Sequence, residues 1–252
     1  MTGRRPRITK TSAEDPLLAV TQKLRGHANL ERGARRRKNA GSREKWLGAD
    51  ARAMSSAARQ VNKTFAGDPD AIFNAAEKLL HGARFREEKH LALGLLGNAA
   101  EGLTEAHLVR CIEWFPKLAD EDLVDKLAAT IGATIAEMPS AQRRLAEMAR
   151  NLNPLQRRAA VLCATGALGI GTKGLRAALI VAENVARDRA PSVQSALASL
   201  LAALSREAPK QAMPFLVRYS DDLSTAVFES ALSTLPAAQQ RQLRTDRARG
   251  KS

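Results

Sequence analysis

Two stretches of the chain carry residues suited to chemistry. Asp120-Glu121-Asp122-Leu123-Val124-Asp125 opens one helical pattern with four carboxylates, and Asn153-Pro154-Leu155-Gln156-Arg157-Arg158-Ala159-Ala160 opens a later one with two guanidiniums. A carboxylate beside an anion-binding groove can stabilise positive charge on a sugar, and paired guanidiniums are suited to phosphate. Each group also has a plainer reading. Carboxylates are stabilised at a helix N-terminus by the dipole and the unpaired N–H groups, which accounts for Asp120 to Asp122 better than for Asp125. Arg157 and Arg158 sit where the dipole disfavours cations, so they are either anion ligands or arginines bonded to a neighbouring carboxylate. Asp125 lies about 200° around the helix from Leu123, so it faces away from that part of the core, into a groove or into solvent.

The elements that must position these groups are all helical. From Trp46 onward, patterns 11 to 18 residues long alternate with short Pro, Gly, Asn or Asp breaks. They predict helices near 50–65, 69–81, 85–100, 104–116, 120–137, 140–152, 154–168, 173–189, 191–207, 209–219 and 222–234. Asp68 before Pro69 and Asn153 before Pro154 each offer an N-cap acceptor followed by a proline at the first helical position, and Thr104 and Ser140 can cap similarly. Leu123, Leu127, Ile131 and Ile135 form one apolar stripe, and Val193, Leu197, Leu200 and Leu204 another. No stretch alternates like a strand. Paired antiparallel helices with short connections predict an all-α, HEAT-like helical repeat solenoid, C-shaped, whose concave face is an extended binding surface.

Charge divides the chain further. Of 252 residues, 40 are Lys or Arg and 26 Asp or Glu. Residues 1–45 hold 13 of the basic residues against 4 acidic ones, and residues 239–252 hold 5 against 1. The middle is nearly neutral, which predicts a basic flexible arm over 1–45 with one or two isolated helical turns within 14–25, a repeat domain over 46–238 and a basic tail over 239–252. Arg35, Arg36, Arg37 and Lys38, bracketed by Gly33 and Gly41, have no apolar periodicity and read as loose chain. Such an arm either attracts phosphates through counterion release or merely solubilises. Cys111 and Cys163 lack the spacing of a zinc site or disulfide framework, and His27, His81, His90 and His107 lack metal spacing, so no metal and no cofactor is expected. A reducing, cytoplasmic location fits the isolated cysteines, and no apolar run reaches the roughly 18 residues of a membrane span. Gly169-Ile170-Gly171-Thr172-Lys173-Gly174 matches a dinucleotide fingerprint but lacks a preceding strand, so it reads as an interhelical turn. Trp114 is expected between helices.

Four motifs in order resemble the DNA alkylation repair family of HEAT-like-repeat DNA glycosylases. They are Phe85-Arg86-Glu87-Glu88-Lys89-His90-Leu91-Ala92-Leu93-Gly94-Leu95-Leu96, then Asp122-Leu123-Val124-Asp125, then Asn153 to Leu162, then Val193-Gln194-Ser195-Ala196-Leu197. Trp46-Leu47-Gly48 and the helix after it resemble the family's first repeat. The resemblance implies a monomeric protein that holds double-stranded DNA on its concave face and releases N3- or N7-alkylated purines. It places the family's catalytic Asp, the last residue of Trp-Asp-x-Val-Asp, on Asp125, and a DNA-contacting Arg on Arg158. Two positions depart from the pattern: the tryptophan that opens that motif is Glu121 here, and a second family aromatic falls on Ser199. Three readings therefore stand open: an alkylpurine glycosylase, a noncatalytic nucleic-acid-binding or damage-sensing repeat protein, and a protein-binding scaffold.

Overall fold

A computed structural model describes residues 15–250, and every described element is helical. Fourteen α-helices are described: α1 Pro16–Gly26, α2 Leu30–Asn39, α3 Ala51–Thr64, α4 Pro69–Gly82, α5 Arg86–Gly97, α6 Glu105–Ile112 and α7 Glu121–Ile135, followed by α8 Pro139–Met148, α9 Pro154–Ala167, α10 Gly171–Val185, α11 Pro191–Glu207, α12 Pro209–Arg218, α13 Thr225–Leu232 and α14 Ala237–Gly250. The helices stack in two layers. In one layer α3, α5, α7, α9, α11 and α13 follow each other in packing order. In the other, α6 packs on α8 and α8 on α10, with α12 against α14. This is an all-α helical repeat fold.

The stripes that predicted the helices are the ones that bury. Leu123, Leu127, Ile131 and Ile135 of α7 and Val193, Leu197, Leu200 and Leu204 of α11 are all fully buried. Large-to-small substitution at such sites costs about 2–5 kcal/mol each. Trp114 packs between helices as expected, stacked on Phe73 of α4 at 5.5 Å between ring centroids. The caps at Asp68, Thr104 and Asn153 form through bonds to the N–H of Asp70, His107 and Leu155. Ser140 does not cap. Helix α8 begins one residue earlier, at Pro139, and the Ser140 hydroxyl donates instead to Glu105 of α6 at 2.5 Å. The expected helix over 104–116 ends at Ile112, and Pro116 throws Phe115–Lys117 into a 3-10 turn, where its missing N–H is harmless. Of the run read as an interhelical turn, Gly169 and Ile170 end a short 3-10 turn after α9, whereas Gly171, at φ 69°, to Gly174 already form the first turn of α10.

The largest departure from expectation lies at the ends. Residues 1–14 of the expected arm fall outside the described residues; the turns expected over 14–25 are a packed three-turn helix, α1, and the run expected as loose chain from Arg35 to Lys38 lies in α2. Helix α1 buries Leu17, Val20 and Leu24 and packs on α3. Helix α2 is charged and buries only Gly33. Its arginines explain why it is held: Arg32 Nε donates to the Gly48 carbonyl at 2.6 Å and Arg36 Nη1 to that of Ala49 at 3.3 Å. Gly33 and Gly48 let the two backbones touch. A Cβ on Gly48, at φ 73°, would collide with the Asn29 carbonyl oxygen, and one on Gly33 would lie 2.6 Å from that of Trp46. Gly33 is thus a contact point, not the hinge of a loose arm. The basic stretch from residue 239 is likewise helical: α14 buries Leu243, and Arg247 donates to the Leu223 carbonyl at 2.9 Å while lying over Phe228.

Candidate functional site

Helices α7 and α9 meet closely enough to fix what they carry. Gly132 and Gly166 face each other, and a Cβ on Gly166 would lie 3.1 Å from the Gly132 Cα. Near the N-terminal ends of the same two helices, Asp125 and Arg158 form a bidentate pair. Arg158 Nε donates to Asp125 Oδ1 at 2.7 Å and Nη2 to Oδ2 at 2.6 Å. The third nitrogen, Nη1, donates to the Ser192 carbonyl at the start of α11 at 2.7 Å and lies 3.8 Å from a Glu121 oxygen. The Arg158 side chain is 10% exposed and that of Asp125 is 41% exposed. The hydrogen bonds from Arg158 to Asp125 raise the arginine's pKa; burial opposes the rise, and the charges of Asp125 and Glu121 reinforce it. The guanidinium therefore stays charged, and its two bonds leave the carboxylate partly open to solvent.

The other guanidinium named with Arg158 does something different. Arg157 pairs with Asp188 through Nε and Nη2, the latter at 3.2 Å from Oδ1. Its Nη1 donates to the carbonyls of Asn151 and Leu152 at 2.8 and 2.9 Å. Asp188 is pulled toward a higher pKa by burial, but the bonds from Arg157 and from the Ala190 N–H outweigh this and leave it below the ordinary value. Of the two readings of paired arginines, Arg157 takes the one in which the partner is a neighbouring carboxylate. The basic run on α2 also divides. Arg36 and Arg37 donate to carbonyls of Ala49 and Ser42, whereas the Arg35 and Lys38 side chains have no hydrogen bond or ion pair among the described residues.

A cavity of about 790 Å³ lies between the segment 40–46 and the N-terminal ends of α7, α9 and α11; Asp125 and Arg158 are not among its walls, but Glu121 and Ser192, which Arg158 approaches, are. Arg43, Trp46, Arg86, Glu121, Asn153 and Ser192 are among its walls. Four residues brace one wall. Trp46 Nε1 donates to Ser42 Oγ at 2.8 Å, Ser42 Oγ donates to Asp120 at 2.5 Å, Arg86 Nε is 3.2 Å from the same carboxylate, and the Arg86 guanidinium lies 4.3 Å from the Trp46 ring centre. Arg86 also pairs with Asp122. Asp120 therefore does not cap α7, because its oxygens are turned to Ser42 and to the Arg43 N–H. The Arg43 side chain is exposed and makes no ion pair among the described residues.

The segment carrying Trp46 is tied down by buried acids of α5. Glu87 accepts from the Leu47 and Gly48 N–H groups at 2.9 and 2.8 Å, and Glu88 accepts from Arg25 Nε at 2.6 Å and from the Arg84 N–H at 2.6 Å. Glu44 accepts from Lys89 at 2.6 Å and from the Ala119 N–H at 2.9 Å. Thus the polar start of the run, Glu87 to Lys89, holds the chain before α3, while Leu91 to Leu96 pack in the core. Sequence reasoning singled out Asp125 and Arg158, which the structure brings together. It missed Trp46, Arg43 and Arg86 as cavity walls. The available signal was a tryptophan two residues before a glycine that needs positive φ, but its meeting with α7 spans some distance along the chain and leaves no local pattern.

A smaller cavity of about 230 Å³ opens between α3, α5 and α7. There Lys126 Nζ donates to the His90 carbonyl at 3.1 Å and lies 3.4 Å from His90 Nε2. Burial, then the charges of Lys126 and Arg86, lower the His90 pKa to about 4. Burial and Arg86 also lower that of Lys126. Cys111 and Cys163 are buried in the core, and burial raises both thiols far above the range in which they react. At the positions of the two family aromatics, Glu121 stands at the cavity wall and Ser199 is an exposed residue of α11 whose hydroxyl donates to the Ser195 carbonyl at 3.3 Å.

Comparison with known proteins gives a consistent result. A family model described as DNA alkylation repair enzyme matches residues 20–235. Among solved structures, a predicted DNA alkylation repair enzyme from Enterococcus faecalis superposes with a TM-score of 0.64 at 15% identity, covering 84% of this chain and 98% of that one. No curated protein matches the chain.

Proposed function

The chain belongs to the DNA alkylation repair family, and from that premise we propose that it binds double-stranded DNA and releases N3- or N7-alkylated purines from it. The observation that carries this reading is the Asp125–Arg158 pair: a carboxylate fixed by two hydrogen bonds, still 41% exposed, held by an arginine that also reaches Ser192 and Glu121 in the wall of a large cavity. An alkylated purine is already cationic. When the bond from the sugar C1′ to the base nitrogen breaks, the base takes the electron pair and leaves neutral, so no general acid is required. What remains is to stabilise an oxocarbenium-like sugar and direct water to it. A carboxylate oxygen has two lone pairs, and Arg158 occupies one on each oxygen, leaving the others for the sugar and the water. Arg158 holds the geometry and adds positive charge near the lesion's phosphates.

Arg43 in the cavity wall, with Arg35 and Lys38 on α2, supplies cations without an ion pair among the described residues for the DNA backbone, where neutralising phosphates releases counterions. Arg36 and Arg37 lend charge while bonded to carbonyls. Trp46 provides an aromatic wall in a chain that has Glu121 and Ser199 at the family's tryptophan positions. The protein acts as a monomer on alkylated duplex, in the cytoplasm, without cofactor or metal.

A second reading is favoured by two specific features: those two substitutions, and the engagement of both Asp125 oxygens by Arg158. In it the protein binds damaged DNA without excising the base. Single-turnover release of methylated purine from alkylated duplex, with protein in excess, separates them. Asp125→Asn should lower the rate by at least about 100-fold, the scale for losing one electrostatic stabiliser, while DNA affinity changes little. Bound DNA with no release by the wild type would establish the binding protein.

A further inference from the structure

Between α8 and α10 a groove opens on the layer of helices that does not carry Asp125 and Arg158. Its lining comes from those two helices alone, and it holds about 330 Å³. On α10 the lining residues are Lys173, Arg176, Ala177, Ile180 and Val181, spaced as one helical face about 12 Å long. Arg143 and Ala146 contribute from α8. The floor is apolar. Ala177 and Val181 are buried, and Ile180, at 38% exposed, is one of the few large hydrophobic side chains left in water.

The charge around that floor has one sign. The side chains of Arg143, Lys173 and Arg176 are exposed and make no hydrogen bond or ion pair among the described residues, and no carboxylate lines the groove. The nearby acids do not neutralise them. Glu183, one turn beyond Ile180, lies 3.6 Å from Arg218, and Glu113 of α6 lies 3.5 Å from Arg144. Glu147, one turn beyond Arg143, makes no ion pair among the described residues. A single exposed cation needs no explanation. Here Lys173 and Arg176, three apart on one helix, repel each other, and Lys173 sits in the first turn of α10, where the dipole disfavours it. An anion that also carries an apolar group relieves the repulsion and covers the isoleucine at once.

Nucleic acid meets only half of that requirement. A phosphate backbone neutralises cations but is polar along its length, and it leaves Ile180 and Ala146 uncovered. An acidic polypeptide segment with a large apolar side chain meets both halves: its carboxylates form charge-assisted bonds with the two guanidiniums and the lysine, and its apolar side chain seats on the floor. We propose that the groove between α8 and α10 docks an acidic, apolar-bearing segment of another protein, leaving the layer of α7, α9 and α11 free for DNA. The proposal goes beyond the reading of the Asp125–Arg158 site and does not depend on it.

The test uses the full chain and two fluorescein-labelled peptides followed by anisotropy. One is rich in Asp and Glu and carries a Leu and a Phe; the other has the same charge, with Ser in place of both apolar residues. The first should bind saturably at low salt, and the second at least about tenfold more weakly, the difference that burying one large apolar side chain supplies. Lys173→Glu combined with Arg176→Glu should weaken the first peptide by more than about tenfold, because it sets like charges against each other. Ile180→Ala should weaken the first peptide several-fold and leave the second unchanged. These sites are exposed, so the urea midpoint of each variant should match that of the wild type. Arg43→Gln, in the wall of the other cavity, should leave both peptides unchanged, and unlabelled duplex DNA should leave the first peptide bound.

No saturable binding of the first peptide overturns the proposal. Equal affinities for the two peptides, with no effect of Ile180→Ala, would reduce the groove to general charge attraction and overturn it as well. An Arg43→Gln effect as large as that of the double charge reversal would put the peptide in the other cavity, and displacement of the peptide by duplex would assign the groove to nucleic acid. Either result overturns the proposal, as does a wild-type dimer in sedimentation that the double charge reversal dissociates, which would give the groove to a second copy.

Discussion

The acids around the segment 42–48 and the acid at the α7–α9 crossing use the same functional group in opposite ways. Glu44, Glu87, Glu88 and Asp120 are all buried, and each accepts from at least one main-chain N–H. Asp125 accepts only from a side chain and keeps much of its surface in water. Lone pairs given to backbone N–H groups fix the path of the chain and are unavailable to a ligand. The comparison teaches that being acidic, buried and hydrogen-bonded marks the supports here, and that the candidate for chemistry is the carboxylate left partly unsatisfied.

The largest effect that would test this contrast is on stability. Glu87→Ala strands two buried N–H groups and should destabilise the protein by about 3–4 kcal/mol, read as a lower urea midpoint with an unchanged slope. Asp125→Asn should by comparison move that midpoint little. If the two variants unfolded alike, the division into supporting and reactive acids would fail.

A second test uses pH. His90 is held at a pKa of about 4 against an ordinary 6.5, so between those values the unfolded chain binds the proton and the folded chain does not. Stability should therefore be full above about pH 6.5 and fall as pH drops toward 4, by on the order of 2 kcal/mol. Lys126 and Arg86 reinforce the effect and Glu87 opposes it. His90→Gln should flatten the profile over that window, as measured by thermal unfolding from pH 7 to 4.

The smallest effect sharpens the comparison within the segment 42–48 itself, where the acids are committed but the Arg43 side chain has no ion pair among the described residues. Arg43→Gln should leave the urea midpoint unchanged and lower the slope of log affinity against log salt by about 0.9, the value for one phosphate contact. An unchanged slope would remove Arg43 from the DNA interface.

Most of the fold was legible in the sequence because its helices between α3 and α13 bury regular apolar stripes and start at recognisable caps. Helices α2 and α14 were not. Leu30–Asn39 has almost no apolar residue to reveal a face, and its attachment depends on Arg32 and Arg36 reaching carbonyls of Gly48 and Ala49, contacts invisible to periodicity. Helix α14 is anchored by Leu243 and by Arg247 over Phe228, again more by specific contacts than by a stripe. At the site, Asp125 and Arg158 were legible as types at helix openings. Arg157, their neighbour, was not separable from Arg158 until Asp188 was seen to claim it. Trp46 escaped because what brings it to α7 is a chain of contacts through Ser42, Asp120 and Arg86, none of them local.

The chain has two tryptophans. Trp114 is 1% exposed and stacked on Phe73, whereas Trp46 stands in the cavity wall with a guanidinium against its ring. Collisional quenchers such as acrylamide should consequently reach one indole and not the other. The molecule thus carries its own optical label at the wall of the cavity beside α7, and occupancy of that cavity can be followed on unmodified protein as a loss of quenching.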